Sequence, residues 1–130
     1  MSKAILVARL LLGLIFTVFS LNYFFPFLPP PEMSESAAGL WGALAGSGYM
    51  VPVMKVIELA AGVFLLGGIL VPLSLTLLAP IIVNIVLFHV FLDPAGMPVG
   101  ILVLVLEVFL AWAYRDAFKG VLDPRAKPRE

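Results

Sequence analysis

Arg9, Lys55, Glu58, Asn84, His89 and Glu107 are the residues of this chain that could do chemistry, and each lies in a stretch otherwise rich in Leu, Ile, Val, Phe and Ala. An ionised group in a hydrocarbon layer costs roughly 2.5–3.5 kcal/mol on insertion scales, so such groups turn toward a protein interior or a polar cavity. The spacing agrees with that requirement. Arg9, Gly13, Phe16 and Ser20 share one helical face with Thr17 at its margin; Lys55, Glu58 and Gly62 share a second; Gly100, Val103, Glu107, Ala111 and Tyr114 share a third. Each charge is thus accompanied by small or hydroxyl residues, where helices approach closely, while the opposite faces suit lipid.

Two uses of these groups follow. In the first they neutralise one another and fix helix register: Arg9 reaches toward Glu107, and Lys55 and Glu58 form a same-helix pair at i,i+3. Arg9 has the further option of extending to the headgroups. In the second they line a polar pocket for a ligand, or supply a proton-accepting carboxylate, with Glu58 best placed near the outer mouth. Asn84 is expected to bond across to a neighbouring helix. His89 falls near the outer end of its span, and Asn22 and Tyr23 near the outer end of theirs.

The elements that position these residues are legible from composition. Hydrophobic residues make up 62% of the 130 and charged residues 12%. A soluble domain is nearer a quarter charged and under half apolar, so the expected class is an all-α membrane protein, one domain, in contact with the lipid bilayer. The absence of cysteine removes disulfides, thiolate metal sites and dithiol relays; a single histidine removes bis-histidine haem ligation and clustered-histidine metal sites. No metal site is expected. Basic residues form no run outside the C-terminal tail, so nucleic acid is not an expected partner.

Apolar segments over residues 5–25, 51–71, 73–91 and 99–118 each approach the ~20 residues that cross a bilayer. They predict a four-helix transmembrane domain over residues 1–119, followed by a basic tail over 120–130. The first segment is too long for a signal peptide and is read as a retained span. Pro72 is expected to break the second span from the third and force a helical hairpin, and Asp93-Pro94-Ala95-Gly96 to turn the third into the fourth. Pro80 is expected to kink the third span and free the carbonyl of Thr76.

Between the first and second spans, Ser34 is expected to cap a short helix carrying Leu40, Trp41 and Leu44, ended by Gly46-Ser47-Gly48. That helix is expected to lie at the extracytoplasmic interface, with Trp41 and Tyr49 as anchors. Lys3 and Arg9 begin the chain, and Arg115, Lys119, Arg125, Lys127 and Arg129 end it, whereas the loop after the first span carries only Glu32 and Glu35. The positive-inside rule then predicts both termini in the cytoplasm and a multi-pass protein of the plasma membrane.

The chain resembles the DoxX family of small four-helix membrane proteins. The resemblance rests on Ala8-Arg9-Leu10-Leu11-Leu12-Gly13-Leu14-Ile15-Phe16 and on Pro52-Val53-Met54-Lys55-Val56-Ile57-Glu58-Leu59-Ala60-Ala61-Gly62. Asn84 through His89, Leu92-Asp93-Pro94, Leu106-Glu107-Val108-Phe109 and Tyr114-Arg115 complete it. It implies an accessory or ligand-binding subunit of a membrane redox system rather than a self-contained enzyme. A quinone or similar lipophile near Lys55, Glu58, Asn84 and His89 and a redox-enzyme partner subunit would follow, the electrons coming from that partner. The alternatives are a purely structural scaffold and an oligomeric transporter of protons or a small solute acting through Glu58 and Glu107.

Overall fold

A computed structural model describes residues 2–30 and 32–129. The described residues form helices and turns with no strand, and four of the helices are long and apolar enough to cross a membrane. The helices are α1 (Lys3–Phe24), α2 (Glu35–Gly46), α3 (Met50–Gly67), α4 (Val71–Phe91) and α5 (Met97–Ala113). A short 3-10 turn, Pro94–Gly96, leads into α5, and another, Arg115–Phe118, follows it.

Cap chemistry accounts for most of the boundaries. Ser2 and Ser34 each sit in extended conformation before a helix, and their hydroxyls accept from the N–H groups of Ile5 and Ala37 at 3.2 Å. The cap expected at Ser34 is therefore present, and α2 ends at Gly46 as expected. The break between the second and third membrane-length helices differs from expectation. Gly68, at φ 70°, ends α3 in the left-handed conformation that glycine adopts freely, so the helix stops before residue 71. Pro72 lies instead in the first turn of α4, where its missing N–H has no helical partner to lose. α5 likewise stops at Ala113 rather than 118, the chain tightening into the 3-10 turn. α4 continues through Pro80 as a single helix.

The membrane-length helices pack in a ring, α1 on α3, α3 on α4, α4 on α5 and α5 back on α1. Their directions follow from side-chain register. Thr17 and Gly13 of α1 meet Gly62 of α3, and Arg9 meets Gly68, so one number falls as the other rises. His89 of α4 meets Gly96 and Gly100, whereas Thr76 and Ala79 share a cavity with Glu107. Both pairs are antiparallel. The start of α1, the α3–α4 link and the end of α5 therefore gather at one end, and α2 with the α4–α5 turn at the other.

Small residues set the tightest contact. A methyl on Gly13 would stand 2.9 Å from the Gly62 carbonyl oxygen, and one on Gly62 would stand 3.0 Å from that of Gly13. Close backbone approach of this kind replaces the hydrophobic drive that lipid removes. Around it Leu12, Leu65, Leu75, Leu78, Ile82, Val103 and Leu110 close the core with almost no exposed surface.

Candidate functional site

The inward faces expected in three of the spans are the faces that bury. Gly13, Phe16 and Ser20 of α1, Glu58 and Gly62 of α3, and Gly100, Val103 and Glu107 of α5 are all buried. Glu58 is 6% exposed and Glu107 8%. The two carboxylates nevertheless belong to different surroundings, one toward the α2 end and one toward the end that carries the termini.

Toward the α2 end, the Lys55 ammonium lies 3.5 Å from a Glu58 carboxylate oxygen, the same-helix pair expected from the spacing. The same ammonium lies 5.9 Å from the centre of the Trp41 ring, a cation–π contact that draws α2 down onto α3. Trp41 in turn meets Phe88 of α4 edge-on, at 6.4 Å between ring centres. Ser34 at the head of α2 also donates its hydroxyl to the carbonyl of Leu92 at the tail of α4. α2 is therefore fixed to two helices at once, and Ala37 beneath it is fully buried. The sequence marked Trp41 as an interfacial anchor; its contact with Lys55 joins residues far apart in the chain and leaves no local signature.

Asn84 does not join that cluster, and His89 touches it only through Phe88, whose ring it meets edge-on at 5.2 Å between ring centres. His89 Nδ1 lies 3.0 Å from the Asp93 carbonyl oxygen, and the ring packs on the bare backbone of Gly96 and Gly100. The histidine thus clasps the α4–α5 turn. Asn84 is exposed on α4, and its amide donates to the Pro80 carbonyl of its own helix at 2.9 Å rather than across to a neighbour. Four residues separate it from that carbonyl, so an intrahelical bond was the nearer option. Asn22 is likewise local: its side-chain oxygen accepts from the N–H groups of Phe27 and Leu28 at 3.0 and 2.8 Å, shaping the exit from α1.

Arg9 does not pair with Glu107. Its guanidinium packs against Gly68, where any side chain would collide with it, at the carbonyl-rich C-terminus of α3. A cation is favoured at that end of a helix. Among the described residues the salt bridges are Lys55–Glu58 and the exposed Lys119–Asp116.

Glu107 consequently has no salt-bridge partner among the described residues. Its Oε1 is buried and makes no hydrogen bond among the described residues, and neither do Arg9 Nε, Thr17 Oγ1 and Ser20 Oγ. The carboxylate borders a cavity of about 410 Å³ between α4, α5 and the turns that follow α5. Leu75, Thr76, Ala79 and Ala111 form its walls, and Arg115 and Phe118 its rim. A second, wholly apolar groove of about 580 Å³ runs along the outer side of α1 and α3 between Leu21, Phe24, Val56 and Val63. No group of three or more histidine, cysteine or carboxylate side chains among the described residues is arranged to hold a metal ion. Comparisons with protein-family models, curated proteins and solved structures returned no match.

Proposed function

We propose that this chain is a membrane-embedded accessory subunit that holds a lipophile of quinone type at its α2 end, as the resemblance to the DoxX family implies. The observation that carries the reading is the Lys55 ammonium, 3.5 Å from Glu58 and facing the Trp41 ring. An ammonium has three N–H donors, and Glu58 engages one side of it, so a donor is left for a carbonyl oxygen arriving under α2. The Trp41 and Phe88 rings, set edge to face, supply apolar walls for the ligand's body. In this reading His89 and Asn84 lie outside the ligand's contacts, and electrons come from a partner subunit. The basic tail, with Arg125, Lys127 and Arg129, is the surface offered to that partner.

The same reading puts both termini in the cytoplasm of a plasma membrane, with α2 at the opposite interface, on the strength of the lysine and arginine distribution. Solvent extraction and mass spectrometry of the purified full chain test the ligand directly. A quinone should be recovered from the wild type, and the yield should fall about 10-fold or more in Lys55→Met, which removes the donor. Recovery of no lipophile, or equal recovery from both proteins, would refute it.

A purely structural role has its own support in the pairing of Glu58 with Lys55. A pair that only fixes register leaves every ligand yield unchanged when both partners become apolar.

A further inference from the structure

The cavity beside Glu107 lies toward the other end of the bundle from Lys55, and its chemistry is opposite in kind. Its buried polar group is a carboxylate whose Oε1 has no partner among the described residues. Thr76, on the facing wall, donates its hydroxyl proton to the Pro72 carbonyl at 2.9 Å, so toward the cavity its oxygen can only accept. Pro80 has no N–H to give the carbonyl of Thr76, which leaves a further acceptor on the same turn. Arg115 is the one side-chain donor at the rim; one of its five N–H groups is committed to its own helix, and it makes no salt bridge to Glu107 among the described residues. Its Nη1 donates to the Trp112 carbonyl at 2.9 Å, and its guanidinium lies 4.8 Å from the Trp112 ring centre.

We propose that this cavity binds the protonated amine of a lipophilic molecule. The ammonium donates to Glu107 Oε1 and to the Thr76 oxygen, replacing hydration with fixed acceptors. Leu75, Ala79 and Ala111 line the open groove beside it, where the hydrocarbon lies. An uncompensated carboxylate in an apolar wall gains most from a ligand that brings the missing positive charge. A quinone, which offers only acceptors, has nothing to give Glu107 or Thr76, so this site is separate from the one at Lys55 and stands whether or not that one binds. At about 410 Å³ the space suits a headgroup and the first part of a chain, the remainder leaving between α4 and α5 toward lipid.

The test is native mass spectrometry of the full chain in detergent, with dodecylamine as probe and dodecanol and dodecyltrimethylammonium as comparisons. Dodecylamine should form one adduct per chain, dodecanol should bind much more weakly, and the trimethylammonium, which has charge but no N–H, should fall between them. Glu107→Gln should weaken the amine adduct about 10- to 100-fold. Ala79→Leu and Ala111→Leu narrow the cavity from facing walls without touching the carboxylate, and each should abolish the adduct. Val105→Leu, on the exposed side of α5, should leave it unchanged. Amine binding that survives both cavity-filling variants, or that dodecanol matches, would overturn the assignment even if Glu107→Gln failed to fold.

Discussion

Gly62 of α3 passes so close to Thr17 of α1 that a methyl group on the glycine would stand 2.6 Å from the Thr17 hydroxyl oxygen and 2.8 Å from its backbone nitrogen. Backbone cannot yield as a flexible side chain can. Gly62→Ala should therefore force the two helices apart and lower bundle stability by about 1–3 kcal/mol. Unfolding titrations in mixed micelles measure the loss. Gly39→Ala is the matched control: it sits within α2 with open space around it and should raise stability by about 0.5–1 kcal/mol through helix propensity. Equal effects at the two glycines would remove the close-contact account of the α1–α3 seam.

The Lys55–Glu58 pair makes a different kind of prediction, because breaking it differs from replacing it. Glu58→Leu alone leaves a poorly solvated ammonium and should cost about 3–5 kcal/mol. Adding Lys55→Met should recover most of that loss, since two apolar side chains satisfy the same space. Trp41→Leu should cost about 0.5–2 kcal/mol through the lost cation–π contact. A double-mutant cycle between Lys55 and Glu58 reads the coupling directly. Additive losses would mean that the two side chains do not sense each other.

Ser34 holds α2 by two bonds that act at different places: its oxygen accepts from Ala37 N–H, and its hydroxyl donates to the Leu92 carbonyl. Ser34→Ala should cost about 0.5–2 kcal/mol, a value typical of a lost helix cap. The loss should be local. Amide exchange should quicken across α2 while protection in α3 and α4 stays as it was, because the ring of longer helices does not depend on that cap. Uniform acceleration through the whole chain would contradict this.

The link between α3 and α4 turns on a strained residue. Leu70 has φ 49°, in the left-handed region that a branched side chain enters at a cost of roughly 1–2 kcal/mol. Its side chain is 53% exposed, so little packing is lost by removing it. Leu70→Gly should therefore stabilise the bundle by up to about 1 kcal/mol. Gly68→Ala should do the reverse, since that position has φ 70° and its added methyl would displace the Arg9 guanidinium. Arg9→Gln should narrow the penalty of Gly68→Ala by shortening the side chain that is displaced.

How much of this was legible in the sequence depends on how local each cause is. The buried faces of α1, α3 and α5 were readable because helical periodicity places Gly13 with Ser20, Glu58 with Gly62 and Gly100 with Glu107 by spacing alone. The stop of α3 was misplaced because Pro72 looks like the stronger breaker, whereas proline is tolerated in a first turn and Gly68 supplies the positive φ that ends the helix. For Arg9 the sequence leaves open a pair with Glu107 or an extension to the headgroups; the guanidinium packs on Gly68 at the end of α3, and where that end comes to rest is a matter of tertiary register. The cross-helix bond expected of Asn84 is absent because its amide reaches the Pro80 carbonyl a turn away, and His89 likewise lies against the Asp93 carbonyl. The Glu107 cavity needs the turns after α5 to close it, and no spacing rule foretells that.

The absence of cysteine makes orientation simple to test, because any single cysteine introduced is the only thiol in the chain. The register of α1 with α3 and of α4 with α5 gathers both chain ends at one end of the bundle and α2 at the other. Gly42→Cys lies on the exposed side of α2, and Ser2→Cys and Lys127→Cys mark the ends; all three native positions are exposed. In intact cells a membrane-impermeant maleimide should label Gly42→Cys at once and the two terminal variants only after permeabilisation, following the basic residues that flank the termini. Labelling of Ser2→Cys and Lys127→Cys on opposite sides would contradict the antiparallel ring itself. Labelling of both ends from outside, with Gly42→Cys protected, would keep the ring and invert the protein in its membrane. In that case the Lys55 cluster would face the cytoplasm.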